Sequence, residues 1–267
     1  MKIGICLLLL ANQQDPLAKA SIPTAAAAGY DYAEAPLARL LALSEEELTE
    51  YRDRLFAAGL PVEVFNNAIP RDIALIGPNA DEEAKSRYID RALFLADFFG
   101  VSLITMSGPN RRTVPESFAW SEGFPQYVGF LKRFADQATA QGVTLAIEPI
   151  NDEEHSFVST VSEALRAVNA AGHPGLMTMV DTYHFLKQGD RMDDVTANIG
   201  KIAHIHYAAK ARRTYPLAGD MEECRSTLSP ILSAGYKGRI SLEAYAPDPA
   251  QDLPESARLL RSLTARR

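Results

Sequence analysis

Eight short apolar runs recur along the chain, each separated from the next by a longer amphipathic stretch. The runs are 2–10, 30–37, 61–67, 102–108, 143–150, 175–182, 202–208 and 238–245. They are continuously apolar rather than alternating, the pattern of parallel strands covered on both faces. The stretches between them carry helix signals. Ser44 with Glu47 three residues on makes a capping box before "LTEYRDRLFAAG", which Gly59 ends. Asn79 with Glu82 predicts the same device before a helix in which Ala84, Tyr88, Leu95 and Phe99 recur at helical spacing. Gly100 stops that helix, and Gly142, Gly172 and Gly235 stand at the same point ahead of the fifth, sixth and eighth runs. Eight strands, each followed by a helix, is the count of a (β/α)8 barrel. The expected fold is therefore α/β, a single TIM barrel in which residues 1–267 form one domain. A doubly wound open sheet also alternates, but it usually has fewer strands, and no Gly-rich turn follows the first run here.

The length of 267 residues suits one large α/β domain. A formal charge of −7 argues against a nucleic-acid backbone as partner, because phosphate binding needs a basic patch. No apolar run approaches the 18 or more residues of a membrane span, so no membrane partner is expected. Cys6 and Cys224 are the only cysteines, which excludes a disulfide framework and predicts a reducing, cytoplasmic setting. The opening "MKIGICLLLLANQQ" imitates a secretory signal. It reads better as a buried first strand, since the barrel count needs one there.

The last four runs each end in a potential metal ligand. They are "LAIEPIN" with Glu148, "TMVDTYHF" with Asp181, "AHIHYAAK" with His206 and "ISLEAY" with Glu243. In a barrel of this kind the active site is built from the C-terminal ends of the strands. A lone strand-end Glu is ordinarily a cap or ion-pair partner, and a lone Asp before a turn a turn former. Four such residues at equivalent ends call for a common cause. Three converging carboxylates would repel one another without a cation. Oxygen and imidazole donors without thiolate suit one divalent ion such as Mn²⁺, Mg²⁺ or Co²⁺. His204 and His206 face the same way, and His206 is the expected ligand because it lies nearer the strand's end.

The segments "LAIEPINDEEHSFVST", "VDTYHF", "IAHIHYAAKARR" and "GYKGRISLEAY" resemble the sugar isomerase/epimerase group with a xylose-isomerase-like TIM barrel. Within it they are most similar to the D-tagatose/D-psicose 3-epimerase type, with "GYDYAEAPL" and "FNNAIP" as weaker N-terminal matches. The resemblance implies that Glu148, Asp181, His206 and Glu243 bind one divalent ion and that the two glutamates act as the acid/base pair. It further implies that His184 and Arg212 hold substrate oxygens and that Glu154 lies near the pocket. Homodimers and homotetramers are common in that family. Departures occur where "ARR" is followed by "TYPLAGD" and where the fourth run gives "MSGPNRR", so Met106 is expected to narrow the pocket. Trp120, the only tryptophan, is a candidate for the pocket wall or for packing.

The implied chemistry is proton transfer next to a carbonyl of a small sugar or keto substrate, through an enediolate. Glutamates on the fifth and eighth strands suit work on both faces of a planar intermediate, as ketose 3-epimerisation needs. Aldose–ketose or hydroxypyruvate-type isomerisation and inosose-dehydratase-like lyase chemistry share the scaffold and stay open. "HIH" leans away from the hydroxypyruvate type, where Gln stands in place of the second His. An endonuclease IV-like nuclease would gather three zinc ions with many histidines and a basic face. Five histidines in all and the acidic charge argue against it.

Overall fold

Each of the eight apolar runs contains a strand: β1 (Ile3–Cys6), β2 (Tyr32–Pro36), β3 (Val62–Asn66), β4 (Leu103–Ser107), β5 (Thr144–Glu148), β6 (Leu176–Asp181), β7 (Ile202–Tyr207) and β8 (Arg239–Leu242). All pair in parallel with their sequence neighbours, and β1 pairs with β8, so the sheet closes into a barrel. The computed structural model describes residues 1–107, 117–154, 157–209 and 213–265. Helices α1 (Ile22–Ala27), α2 (Leu37–Leu40), α3 (Glu45–Ala57), α4 (Glu82–Phe99) and α5 (Trp120–Ala140) lie in the first half of the chain. The second half holds α6 (Val161–Ala171), α7 (Thr182–Gln188), α8 (Met192–Ala197), α9 (Met221–Ser233) and α10 (Pro249–Thr264). Among the described residues no helix is long and apolar enough to cross a membrane.

Local chemistry sets the element ends. Ser44 Oγ accepts from the Glu47 amide while Glu47 returns the bond to the Ser44 amide, as the capping-box pattern predicts. At α4 the prediction needs correcting. Asp81, not Asn79, is the cap, its Oδ1 accepting from the amides of Glu83 (2.8 Å) and Ala84 (3.1 Å). A carboxylate next to the first helical residue answers both the free N–H groups and the positive end of the helix dipole. Glu82 instead pairs with Lys85 and Arg133. Gly172 takes a left-handed φ of 61° as it ends α6, a conformation that favours glycine. The run 2–10 is strand only to Cys6, and Leu8–Leu10 turn as a 3₁₀ helix at the barrel mouth.

Alternate residues of each strand face inward, and the inward face has two levels. At the N-terminal level Tyr32, Val64, Leu103, Ala146 and Met179 form an apolar cluster separate from the main core. Tyr32 crosses that floor and its hydroxyl lies 2.6 Å from Ser241 Oγ. The ring passes over Gly4, where a Cβ would sit 2.2 Å from it. Two residues further along the eight strands come Cys6, Glu34, Asn66, Thr105, Glu148, Asp181, His206 and Glu243, all buried. An apolar floor thus carries a polar upper level at the C-terminal mouth.

Outward residues such as Ile5, Phe65, Ile104 and Ile147 join the helices in the main core. Met106 belongs to that outer layer, fully buried, and does not narrow the pocket as expected. Trp120 has a packing role: it stacks on Phe124 at 4.4 Å and Phe157 at 5.6 Å, with the Arg166 guanidinium 4.3 Å from its ring.

Candidate metal centre and active-site cavity

Glu148 and Asp181 close β5 and β6, His206 is the penultimate residue of β7, and Glu243 follows β8. One potential ligand atom from each lies within 4.8 Å of the others, and all four residues are buried. His206 turns Nδ1 toward the three carboxylates, 3.3 Å from Glu148 Oε1, 3.6 Å from Glu243 Oε2 and 3.9 Å from Asp181 Oδ2. Asp181 divides its oxygens between two tasks. Oδ1 caps α7, accepting from the amides of Tyr183 (2.8 Å) and His184 (3.2 Å), and Oδ2 faces the other acids.

The electrostatics show a group short of positive charge. Burial, followed by the adjacent Glu243 charge, raises the Asp181 carboxyl well above the ordinary range. Burial also raises Glu243, but His206 and Arg213 outweigh it and hold its pKa at about 2. Burial alone would lower His206, yet the charges of Glu34 and Glu243 raise it. Arg213 puts Nη2 2.6 Å from Glu243 Oε2 and 3.5 Å from Asp181 Oδ2, with its guanidinium 4.7 Å from the Tyr183 ring. Three carboxylates that draw a guanidinium among them, with one imidazole nitrogen, fit a hard or borderline divalent ion.

The other sequence-predicted residues converge less completely. His184 is buried, and Asn151 Nδ2 lies 2.6 Å from its Nδ1. The same amide donates to Glu154 Oε1 at 3.4 Å. With Nδ1 accepting, the ring proton sits on Nε2, 3.9 Å from Asp181 Oδ2. Burial, then the Arg213 charge, lowers the His184 pKa to about 4, so the ring is neutral at pH 7. Glu154 stands at the cavity edge, 45% exposed and 3.8 Å from His184 Nδ1. Arg212 lies outside the described residues, and Arg213 is the arginine seen against the acids. Together Glu148, Glu154, His184, Arg213 and Glu243 line a cavity of about 1010 Å³ over the C-terminal mouth, with apolar walls from Leu8, Leu9, Ile69 and Ile73. A cavity of about 540 Å³ at the opposite mouth is lined by Lys2, Arg239 and Arg261 among others. Glu63 and Asp31 pair with those three cations.

Sequence reasoning missed several polar neighbours. Asn66 Nδ2 is 3.4 Å and Cys6 Sγ 3.5 Å from Glu243 Oε1, while Asn151 orients His184. Glu34 lies on β2 between His204 and His206. The two-residue step from an apolar inward position to a polar one, which marks Glu148 after Ala146, equally marks Glu34 after Tyr32 and Asn66 after Val64.

A family model described as xylose isomerase-like TIM barrel matches residues 22–263. The chain is 24% identical over 239 residues to an L-ribulose 3-epimerase of Methylomonas sp., a match covering 86% of this chain and 79% of that protein. It is 31% identical over 220 residues to a 2-oxo-tetronate isomerase of Cupriavidus necator, covering 76% and 79%. Among solved structures, D-allulose 3-epimerase from Methylomonas sp. in complex with D-allulose superposes with a TM-score of 0.80 at 18% identity, covering 100% of this chain and 97% of that one.

Proposed function

Because the chain belongs to the xylose isomerase-like TIM barrel family, we propose that it is a divalent-metal-dependent sugar epimerase whose reaction is ketose 3-epimerisation. The observation that carries this reading is the convergence of Glu148 and Glu243 from β5 and β8 on one buried group with Asp181 and His206. Named relatives are epimerases and isomerases, which supports an enzyme of that broad type. A divalent ion held by the four residues would offset negative charge as it develops on substrate oxygens.

The chain's own residues do the rest. One glutamate carboxylate accepts the proton from the carbon next to the carbonyl, and the other returns a proton to the opposite face. The two approach from strands three places apart around the barrel. His184, held by Asn151 with its proton on Nε2, donates a hydrogen bond to a substrate oxygen. Arg212 is assigned to a substrate hydroxyl, and so is Glu154, which stands at the cavity edge.

Reaction in D₂O tests the route. A ketose epimerised by it carries deuterium at C3, because the returned proton comes from a solvent-exchanged carboxyl. Glu148→Gln and Glu243→Gln keep an oxygen donor but remove the proton carrier, so each is expected to lose roughly 10²-fold or more in turnover while retaining metal. Epimerised product without deuterium at C3 would rule the route out. A second reading, isomerisation of a 2-oxo acid, rests on the 31% identity to the 2-oxo-tetronate isomerase. Label appearing at the original carbonyl carbon of such a substrate, which becomes the new carbinol carbon, with one glutamate dispensable, would favour it.

A further inference from the structure

Glu34 is fully buried on β2, and neither the strand-end pattern nor the family resemblance gives it a task. Isolating a carboxylate from water costs several kcal/mol unless hydrogen bonds answer it. Two imidazoles do so here. His204 Nε2 lies 2.5 Å from Glu34 Oε1, and His206 Nε2 lies 2.8 Å from Glu34 Oε2. The β2–β3 register shifts between Ala33 and Glu34, at the point where this side chain turns inward.

An ionised carboxylate only accepts, so the nitrogen facing it must carry a proton. On His206 that nitrogen is Nε2. The lone pair is thereby assigned to Nδ1, the nitrogen turned toward Glu148, Asp181 and Glu243. The other neutral tautomer would aim an N–H into the group and leave nothing to ligate with. We infer that Glu34 is the positioning residue of the centre: it fixes the tautomer and ring plane of His206 so that Nδ1 is the ligating nitrogen. It also makes that nitrogen more basic, as a carboxylate behind a ligating histidine does. His204 steadies Glu34 from the other side, which explains two histidines at alternate positions of β7 where one ligand would suffice. This inference rests on the metal-centre reading of the four-residue group.

The test uses the full chain with Co²⁺ as probe. Glu34→Ala is expected to weaken Co²⁺ binding by about 10–100-fold, the usual effect of removing such a partner. Glu34→Gln, whose amide oxygen still accepts from Nε2–H, should recover most of that loss. Thermal unfolding of each metal-free variant establishes that it is folded. Should Glu34→Ala not fold, the wild-type protein still decides. Its Co²⁺ form should show a hyperfine-shifted, solvent-exchangeable proton NMR signal from His206, with contacts that place it at Nε2. Coordination through Nε2, or a folded Glu34→Ala with unchanged Co²⁺ affinity, would overturn the inference alone. Failure of the wild-type chain to bind Co²⁺ or Mn²⁺ would overturn it together with the metal-centre reading.

Discussion

His184 shows how one burial decision fixes both chemistry and pH response. Its ring is 2% exposed, held at Nδ1 by Asn151 and faced by the positive Arg213, and its pKa falls to about 4. An unfolded histidine titrates near 6.5, so the unfolded chain takes up this proton first as pH falls. The stability that the neutral ring contributes is fully present above pH 6.5 and is lost as pH drops toward 4. Metal-free wild type should therefore lose about 2 kcal/mol relative to His184→Gln between pH 7.5 and pH 5. Urea unfolding at the two pH values measures this, and a constant difference would refute the assignment. The sequence marks His184 only through family likeness, because nothing local distinguishes it from a surface histidine of α7. Asn151 and Arg213 were not legible at all. Both act across loops whose course no periodicity encodes, and Arg213 adopts a left-handed φ of 52° that its residue type does not announce.

Strands were the most legible elements, since a parallel strand buried on both faces leaves an uninterrupted apolar run. Their ends were less so. The run 2–10 overshoots β1 by four residues because Leu7 to Leu10 stay apolar although Leu7 packs into the main core and Leu8–Leu10 turn as a 3₁₀ helix. The α4 start was misplaced because "NADEE" offers two capping side chains and only tertiary placement chooses between them. Within β1 the least expected constraint is Gly4. A methyl group there would lie 2.2 Å from the Tyr32 ring, inside the closed floor of the barrel. Relief requires moving a fully buried aromatic that also meets Ser241. Gly4→Ala is expected to destabilise the protein by roughly 1–3 kcal/mol, the range for overpacked cores. Chemical denaturation checks this, and an unchanged midpoint would mean that the floor yields freely.

At the scale of the molecule, the barrel joins an apolar floor to a level of buried acids and histidines, two halves that stability treats differently. The acids at the mouth crowd one another, as the raised Asp181 carboxyl records. A ligand that binds only the folded arrangement stabilises it by mass action, about 2.7 kcal/mol when present at a hundred times its dissociation constant. Mn²⁺ or Co²⁺ should accordingly raise the melting temperature of protein stripped with EDTA. The rise should shrink in Asp181→Asn, and an identical rise in that variant would remove Asp181 from the ligand set.

The seam between β1 and β8 carries a consequence for biosynthesis. Ile3, Gly4 and Ile5 take Ile240, Ser241 and Leu242 as partners, so the strand made first is completed by the strand made last. While the ribosome holds residues 239–242, β1 keeps an open edge of the kind that invites pairing with other chains. Glu243 comes immediately after that closing strand, and its amide donates to Tyr207 O only once β8 lies against β7. The four residues proposed to hold the ion can therefore meet only after β8 has left the ribosome and paired with β7 and β1. Cation capture by the proposed site thus waits on closure of the ring, not on the folding of any single strand.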